Sequence, residues 1–158
     1  MNRLSLFLAG FFFLNCSSYH VTLGGFSKHF EPTYKGKAYN EAHNNIGIGG
    51  EYRKDDFSVG ATVQYVKNSF NNYGVYATGH LMRTNVRAWR ITNATGVAFG
   101  AATGYGDRYG VKSSDVIPIF GILNDVCLDN FCLYQLILPP FDGMAGVGVL
   151  GGRIHFSF

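Results

Sequence analysis

The chain has 158 residues, enough for one domain. Charged residues are 15% of it, against ~25% in ordinary soluble domains, while aromatic residues reach 16% and Gly occupies 21 positions. Lys and Arg total 13 against 10 acids, and Arg3 is the one charge within residues 1–18, so the remainder is close to neutral and carries no nucleic-acid footprint.

Residues 1–18 read as a signal peptide: Arg3, an apolar run over 4–14, then the small residues Cys16, Ser17 and Ser18. That run is too short to span a bilayer as a helix, and nothing later approaches the ~18 to 20 apolar residues a spanning helix needs. Insertion into a membrane therefore has to be by strands. Cys16 admits a lipoprotein alternative, against which Leu14-Asn15 stand where a small residue is expected. Residues 19–158 form the second unit, a barrel domain.

Eight strands are predicted, over 19–30, 45–53, 57–67, 72–83, 94–105, 115–128, 131–139 and 146–158. The expected fold is all-β, an eight-stranded antiparallel transmembrane β-barrel. Lys54-Asp55-Asp56 and Asp129-Asn130 are tight turns, whereas 31–43 and 106–114 are long and polar, and the two classes fall at opposite ends as a barrel requires. Segment 84–93 should be a turn, yet 86–91 can extend either flanking strand.

The third strand is the clearest. Phe57, Val59, Ala61, Val63 and Tyr65 share one face, and Ser58, Gly60, Thr62, Gln64 and Val66 the other. Its two aromatics sit about 26 Å apart along the strand at ~3.3 Å per residue, or ~20 Å across a membrane after a ~40° tilt, the spacing of two interfacial girdles. Ile46, Ile48 and Tyr52, then Val97, Phe99, Ala101 and Tyr105, continue the outward face. The closing strand ends Arg153-Ile154-His155-Phe156-Ser157-Phe158, apolar at every second position.

Inward positions divide by depth. Toward the long loops they are Gly47, Gly49, Val66, Ala102, Gly104, Val147 and Val149; toward the short turns they are Glu51, Arg53, Ser58, Arg153, His155 and Ser157. So many small residues in one half mean either close packing of neighbours or an apolar substrate pocket over a polar floor. Pro118 and Pro139 cannot donate to a ladder, so each marks a lateral gap in the wall or the start of a loop. In Cys127-Leu128-Asp129-Asn130-Phe131-Cys132 a two-residue turn sets the thiols opposite one another, the arrangement for a cross-strand disulfide.

Short motifs then become familiar in their order and spacing. Tyr39-Asn40-Glu41 resembles the Arg-Tyr-Asn-Glu segment of the lipid A palmitoyltransferase family, Lys67-Asn68-Ser69-Phe70 its Lys-Asp-Ser-Trp, 117–139 its proline-bounded strand pair, and Phe156-Ser157-Phe158 its Phe-Gln-Phe end. The likeness runs from about Ser27 onward. It implies an enzyme of a Gram-negative outer membrane, a monomer without cofactor, that moves an acyl chain from phospholipid to lipid A. Carried over, His29 matches the family's His as general base, Ser69 its Ser, and Asn68 stands where the family has Asp. An amide orients an imidazole but cannot stabilise imidazolium, an exchange that costs about 10⁴ in a serine-protease triad. The family's amino-terminal amphipathic helix has no counterpart.

Other residues carry bland readings. His43 competes with His29 but reads as a solvated loop residue. His20, His80 and His155 lie on separate strands without ligand spacing, so no metal is expected. His155-Phe156-Ser157 is similar to the His-x-Ser of outer-membrane lipid A deacylases, though it sits at the polar floor. Lys28, Lys35, Lys37, Lys67, Arg108 and Lys112 form a cationic rim suited to lipopolysaccharide phosphates or simply to water. Beside the acyltransferase stand a non-enzymatic surface or envelope-modifying barrel that has lost the chemistry, and a soluble secreted lipid-binding barrel, against which the outward aromatic bands argue.

Overall fold

The computed structural model describes residues 16–31, 33–34, 36–105, 116–140 and 146–157. The expected leader up to residue 15, the loop 106–114 with Arg108 and Lys112, Lys35, and the terminal Phe158 lie outside them.

The strands are β1 (Ser18–His29), β2 (Thr33–Tyr34), β3 (Lys37–Ala38), β4 (Asn45–Lys54), β5 (Phe57–Lys67), β6 (Tyr73–Ala88), β7 (Ile91–Ala102), β8 (Ile117–Leu128), β9 (Phe131–Leu138) and β10 (Val147–Ser157). Eight of them close an antiparallel barrel in the order β1-β10-β9-β8-β7-β6-β5-β4, and β4 pairs back onto β1. The remaining two, β2 and β3, make a small hairpin inside the first long loop, which the sequence reading leaves as loop. Closure pairs Ser18 with Ser157 and His20 with His155. Each of the eight barrel strands thereby has two partners, which removes the edges that an open sheet would leave unpaired.

Alternation decides which face each residue takes. Along β5, Phe57, Val59, Val63 and Tyr65 are exposed on the outside, while Ser58, Gly60, Thr62 and Val66 are buried within. The same holds around the circumference: Ile46, Ile48, Val75, Leu81, Val97, Phe99, Ile122, Leu133 and Leu150 all face outward and exposed. Aromatic rings gather at both ends of this apolar belt, with Tyr65 stacked on Tyr73 near the long loops, and Tyr52, Phe57, Trp89, Phe131 and Phe156 near the short turns.

The ambiguous segment resolves into longer strands. β6 and β7 run on to Ala88 and Ile91, register shifts by one residue between Thr84 and Val86, and Trp89-Arg90 make a two-residue turn with Trp89 at φ 52°. Arg90 grips Asp129 of the neighbouring turn through a bidentate ion pair, tying two turns of the same barrel end together.

Cys127 lies opposite Cys132 in the β8–β9 ladder, and their sulfurs are bonded. The bridge closes a loop of about six residues, for which chain-entropy arithmetic gives roughly 2 kcal/mol. Replacing both cysteines by Ala is expected to lower the unfolding free energy by about that much, read as a shifted urea midpoint of Trp89 fluorescence in detergent micelles.

Candidate functional site

The mouth of the barrel at the long-loop end is built on a fault in β1. Before the fault His20 and Thr22 point inward; after it Ser27 and His29 do, so the parity of inward positions changes between them. The cause is Gly24-Gly25. Gly24 sits at φ +56°, and register with β10 slips between Leu23 and Phe26, the signature of a β-bulge in which glycine supplies the left-handed conformation. Beyond Leu23, β1 also parts from β4, and loop residues 41–43 fill the space: Phe26 bridges Ala42, Ser27 N donates to Glu41 O at 2.8 Å, and His43 N donates to Gly25 O at 2.8 Å.

This arrangement brings a serine and a histidine together. His43 Nε2 lies 2.6 Å from Ser27 Oγ, and His43 Nδ1 lies 3.1 Å from the Lys67 carbonyl. A carbonyl oxygen can only accept, so the Nδ1 proton is fixed there and the neutral ring offers a lone pair at Nε2 to the Ser27 hydroxyl. Burial pushes the His43 imidazole below its ordinary value, with the bond to the Lys67 carbonyl opposing the shift, so the ring is neutral at pH 7 as that geometry requires. His43 is only 7% exposed and Ser27 5%. The expectation of a solvated loop histidine is thus corrected, because the loop is laid along β1 as an irregular continuation of the sheet.

The residues singled out by resemblance surround this pair without joining it. His29 is buried, its ring stacked on Tyr39 at 3.7 Å, and its Nδ1 has no hydrogen-bond partner among the described residues. Ser69 is buried and lines the lumen below the mouth. Asn68 is fully buried, and its amide is spent on its own loop: Oδ1 accepts from the N–H groups of Phe70 at 3.0 Å and Asn72 at 3.1 Å, and Nδ2 donates to the Gly104 carbonyl at 2.7 Å. Its own carbonyl accepts from Asn40 Nδ2 at 3.2 Å. Asn68 therefore clamps three loop segments together, and no hydrogen bond joins it to His29 among the described residues.

Below the mouth lies a narrow cavity of about 80 Å³. Its walls are apolar, with Val66, Ala98, Ile119, Leu123, Leu136 and Val149 prominent, and Val147 also lines it; Ser27, His43, Ser69 and Asn45 stand at its upper edge, His80 and Arg153 at its floor. Four of the expected pocket residues do not line it. A Cβ on Gly47 would meet Thr22 Oγ1 at 2.4 Å, and one on Gly49 the His20 ring at 2.3 Å, so these glycines accommodate inward polar side chains. Gly104, at φ +88°, holds the turn that receives Asn68. Ala102 is 1% exposed and packed in the wall. Tyr105, expected outward, instead folds over the mouth past the end of β7: its hydroxyl bonds that of Tyr76 and it lines the cavity.

The wall itself is thinner on one side. The β8–β9 ladder runs only from Ile122↔Ile137 to Leu128↔Phe131. Pro118 pairs across β7 with Ala101 and lies beyond the end of that ladder, while Pro139 follows the last residue of β9.

The floor is polar and interlocked. His20, His80 and His155, distant in sequence, converge, with ring centroids of His20 5.3 Å from His155 and 6.3 Å from His80. Closure of β1 on β10 explains why chain spacing conceals this. His20 Nε2 bonds Thr62 Oγ1 at 2.9 Å, Glu51 meets His80 at 3.3 Å and Arg53 at 2.8 Å, and Arg153 donates to Asp125 at 2.7 Å. The pattern is that of a plug.

Ser27 and its link to His43 escape a reading of strict alternation, which sets Ser27 on the outer face with Leu23 and Val21. The Gly24-Gly25 pair is the signal that carries them, since adjacent glycines inside a strand mark a bulge.

No family model matches the chain, and no curated protein matches it. Among solved structures, the outer membrane protein Ail of Yersinia pestis in a phospholipid bilayer nanodisc is 11% identical, covering 89% of this chain and 99% of that one with a TM-score of 0.47. The crystal structure of Ail, the attachment invasion locus protein of Yersinia pestis, is 13% identical over the same shares with a TM-score of 0.40. Likeness at this level assigns no function.

Proposed function

We propose that this chain is an integral barrel of a Gram-negative outer membrane that takes the acyl chain of a membrane lipid, phospholipid or lipid A, into the upper half of its lumen. The observation that carries the reading is the apolar lining of the upper lumen: a small barrel is normally filled by its own side chains, whereas here Val66, Ile119, Leu123, Leu136 and Val149 border a narrow cavity of about 80 Å³ beneath a polar mouth, which a chain would have to widen on entering. The outward apolar belt with aromatic rings at both ends supplies the membrane-facing surface. Pro118 and Pro139, where the β8–β9 ladder stops short of the rim, mark the side from which a chain enters laterally. Lys67 stands near the mouth for lipid phosphates, while Lys28 is paired with Glu41 at 3.0 Å.

A second reading, a barrel of the same architecture without the acyltransferase chemistry, is favoured by one observation. The amide of Asn68 is committed to Phe70, Asn72 and Gly104, which leaves His29 and Ser69 without the orienter that a palmitoyltransferase set would require.

Filling the well tests the lipid reading. Ala98 is buried at its wall, and Ala98→Phe is expected to weaken binding of cis-parinaric acid to the detergent-folded barrel at least about tenfold, equivalent to ~1.4 kcal/mol, with folding unchanged by its heat-modifiable gel mobility. Equal binding by both proteins places the fatty chain elsewhere and ends the proposal.

A further inference from the structure

We propose that Ser27 is a nucleophile, with His43 as its general base, and that it accepts the acyl group of a membrane lipid ester at the mouth of the lumen; this rests on the reading of the well as an acyl-chain site. The family resemblance gives Ser27 no role, and it gives the base to His29 with His43 only as its competitor. Their juxtaposition comes from the Gly24-Gly25 bulge, which turns Ser27 inward, and from the loop 41–43 that lies beside it.

The geometry meets the requirements for an activated serine in order. Nucleophile and base are 2.6 Å apart, within the range for direct proton transfer. The base is oriented by a third group, the Lys67 carbonyl at 3.1 Å, which fixes the tautomer as the third member of a triad does. Backbone bonds hold both partners: Ser27 N to Glu41 O and His43 N to Gly25 O, each 2.8 Å. Both side chains are shielded from bulk water yet border the apolar well, so an acyl chain inside it delivers its carboxyl end to the Ser27 hydroxyl. Ser69 borders the same edge and carries an O–H donor of the kind a developing oxyanion needs.

The reaction balances with no further reagent. Ser27 Oγ bonds to the ester carbonyl carbon while its proton passes to His43 Nε2. The tetrahedral intermediate collapses by breaking the bond between carbonyl carbon and alkoxy oxygen, and that oxygen takes the proton from Nε2 and leaves as a lysolipid hydroxyl. The acyl ester on Ser27 is then cleaved by water or an acceptor alcohol, deprotonated by the same Nε2, which restores the free serine. A carbonyl in place of a carboxylate behind the histidine orients the ring without a full charge, so the pair suits a slow enzyme.

Labelling with a decyl fluorophosphonate tests this on the full-length barrel folded in detergent. One phosphonyl group per chain is expected by intact mass, located on Ser27 by peptide mapping, and the unlabelled barrel given p-nitrophenyl decanoate should release p-nitrophenolate in a burst of about one equivalent as Ser27 is acylated. Ser27→Ala is expected to abolish both, and His43→Ala to slow labelling at least about 100-fold. Ser27→Cys, which keeps a nucleophile in place, should react with a decyl haloketone and shows that the site still folds. Cis-parinaric acid binding to wild type and Ser27→Ala separates the two levels of the argument. Bound fatty chain without labelling of Ser27, or labelling at another serine, overturns the nucleophile while the lipid well stands; loss of both overturns the well as well.

Discussion

Asp125→Ala is expected to destabilise the barrel by about 3–5 kcal/mol, the cost of leaving one buried charge without its partner. Arg153 is 3% exposed and its guanidinium donates to Asp125 at 2.7 Å. It also lies 5.2 Å over the Tyr134 ring, which cannot neutralise a full charge. The neighbouring acid, Glu51, is already held by Arg53 and His80. The measurement is urea unfolding in phospholipid vesicles, followed by Trp89. Removing both charges tells pairing from packing: Asp125→Leu with Arg153→Met should recover most of the loss, since well-packed apolar replacement of a buried pair is often neutral or stabilising. A double variant as unstable as Asp125→Ala would mean that shape, not charge, holds the floor.

The barrel was legible because its physics is local. Alternation along β5, the Asp-rich turns and the cysteines flanking Asp129-Asn130 each report on neighbours a few residues away, and the eight strands follow from them. Segment 84–93 was not legible because Val86 and Ile91 satisfy strand and turn equally, and the deciding partner is Arg90's contact with Asp129 on a distant hairpin. The mouth was harder still. Resemblance drew attention to His29, Asn68 and Ser69, and they do cluster around the lumen's entrance, but which of them meet depends on the bulge in β1, and a single inserted residue reverses every side chain after it. The lining of the cavity was only half readable for a related reason. Val147 and Val149 line space, whereas Gly47 and Gly49 receive Thr22 and His20 from the adjacent strand, and composition does not say whose side chain a glycine makes room for.

Placing an acid at position 68, as in the palmitoyltransferase motif that this loop resembles, should harm this protein rather than confer that chemistry. In Asn68→Asp the acceptor bonds from Phe70 and Asn72 survive, because a carboxylate oxygen replaces the amide oxygen, but the other oxygen then faces the Gly104 carbonyl across 2.7 Å, where Nδ2 now donates. Two acceptors at that distance repel. At a fully buried site the carboxylate must either take up a proton or push Gly104 away, with an expected cost of about 2–4 kcal/mol from the lost donor and the burial of an unpaired charged group. Asn68→Ala loses the acceptor as well and leaves the amides of Phe70 and Asn72 unsatisfied, so its cost is expected to be comparable. The sign with pH separates them: protonation of the new carboxyl returns an O–H donor toward Gly104, so Asn68→Asp should regain stability as pH falls while Asn68→Ala does not. Trypsin cleavage after Lys67 reports the loop directly, and it should speed up in both variants at pH 8. An Asn68→Asp barrel as protease-resistant as the parent would show that the Gly104 carbonyl has another donor in reach and that the clamp is not what holds the loop segments together.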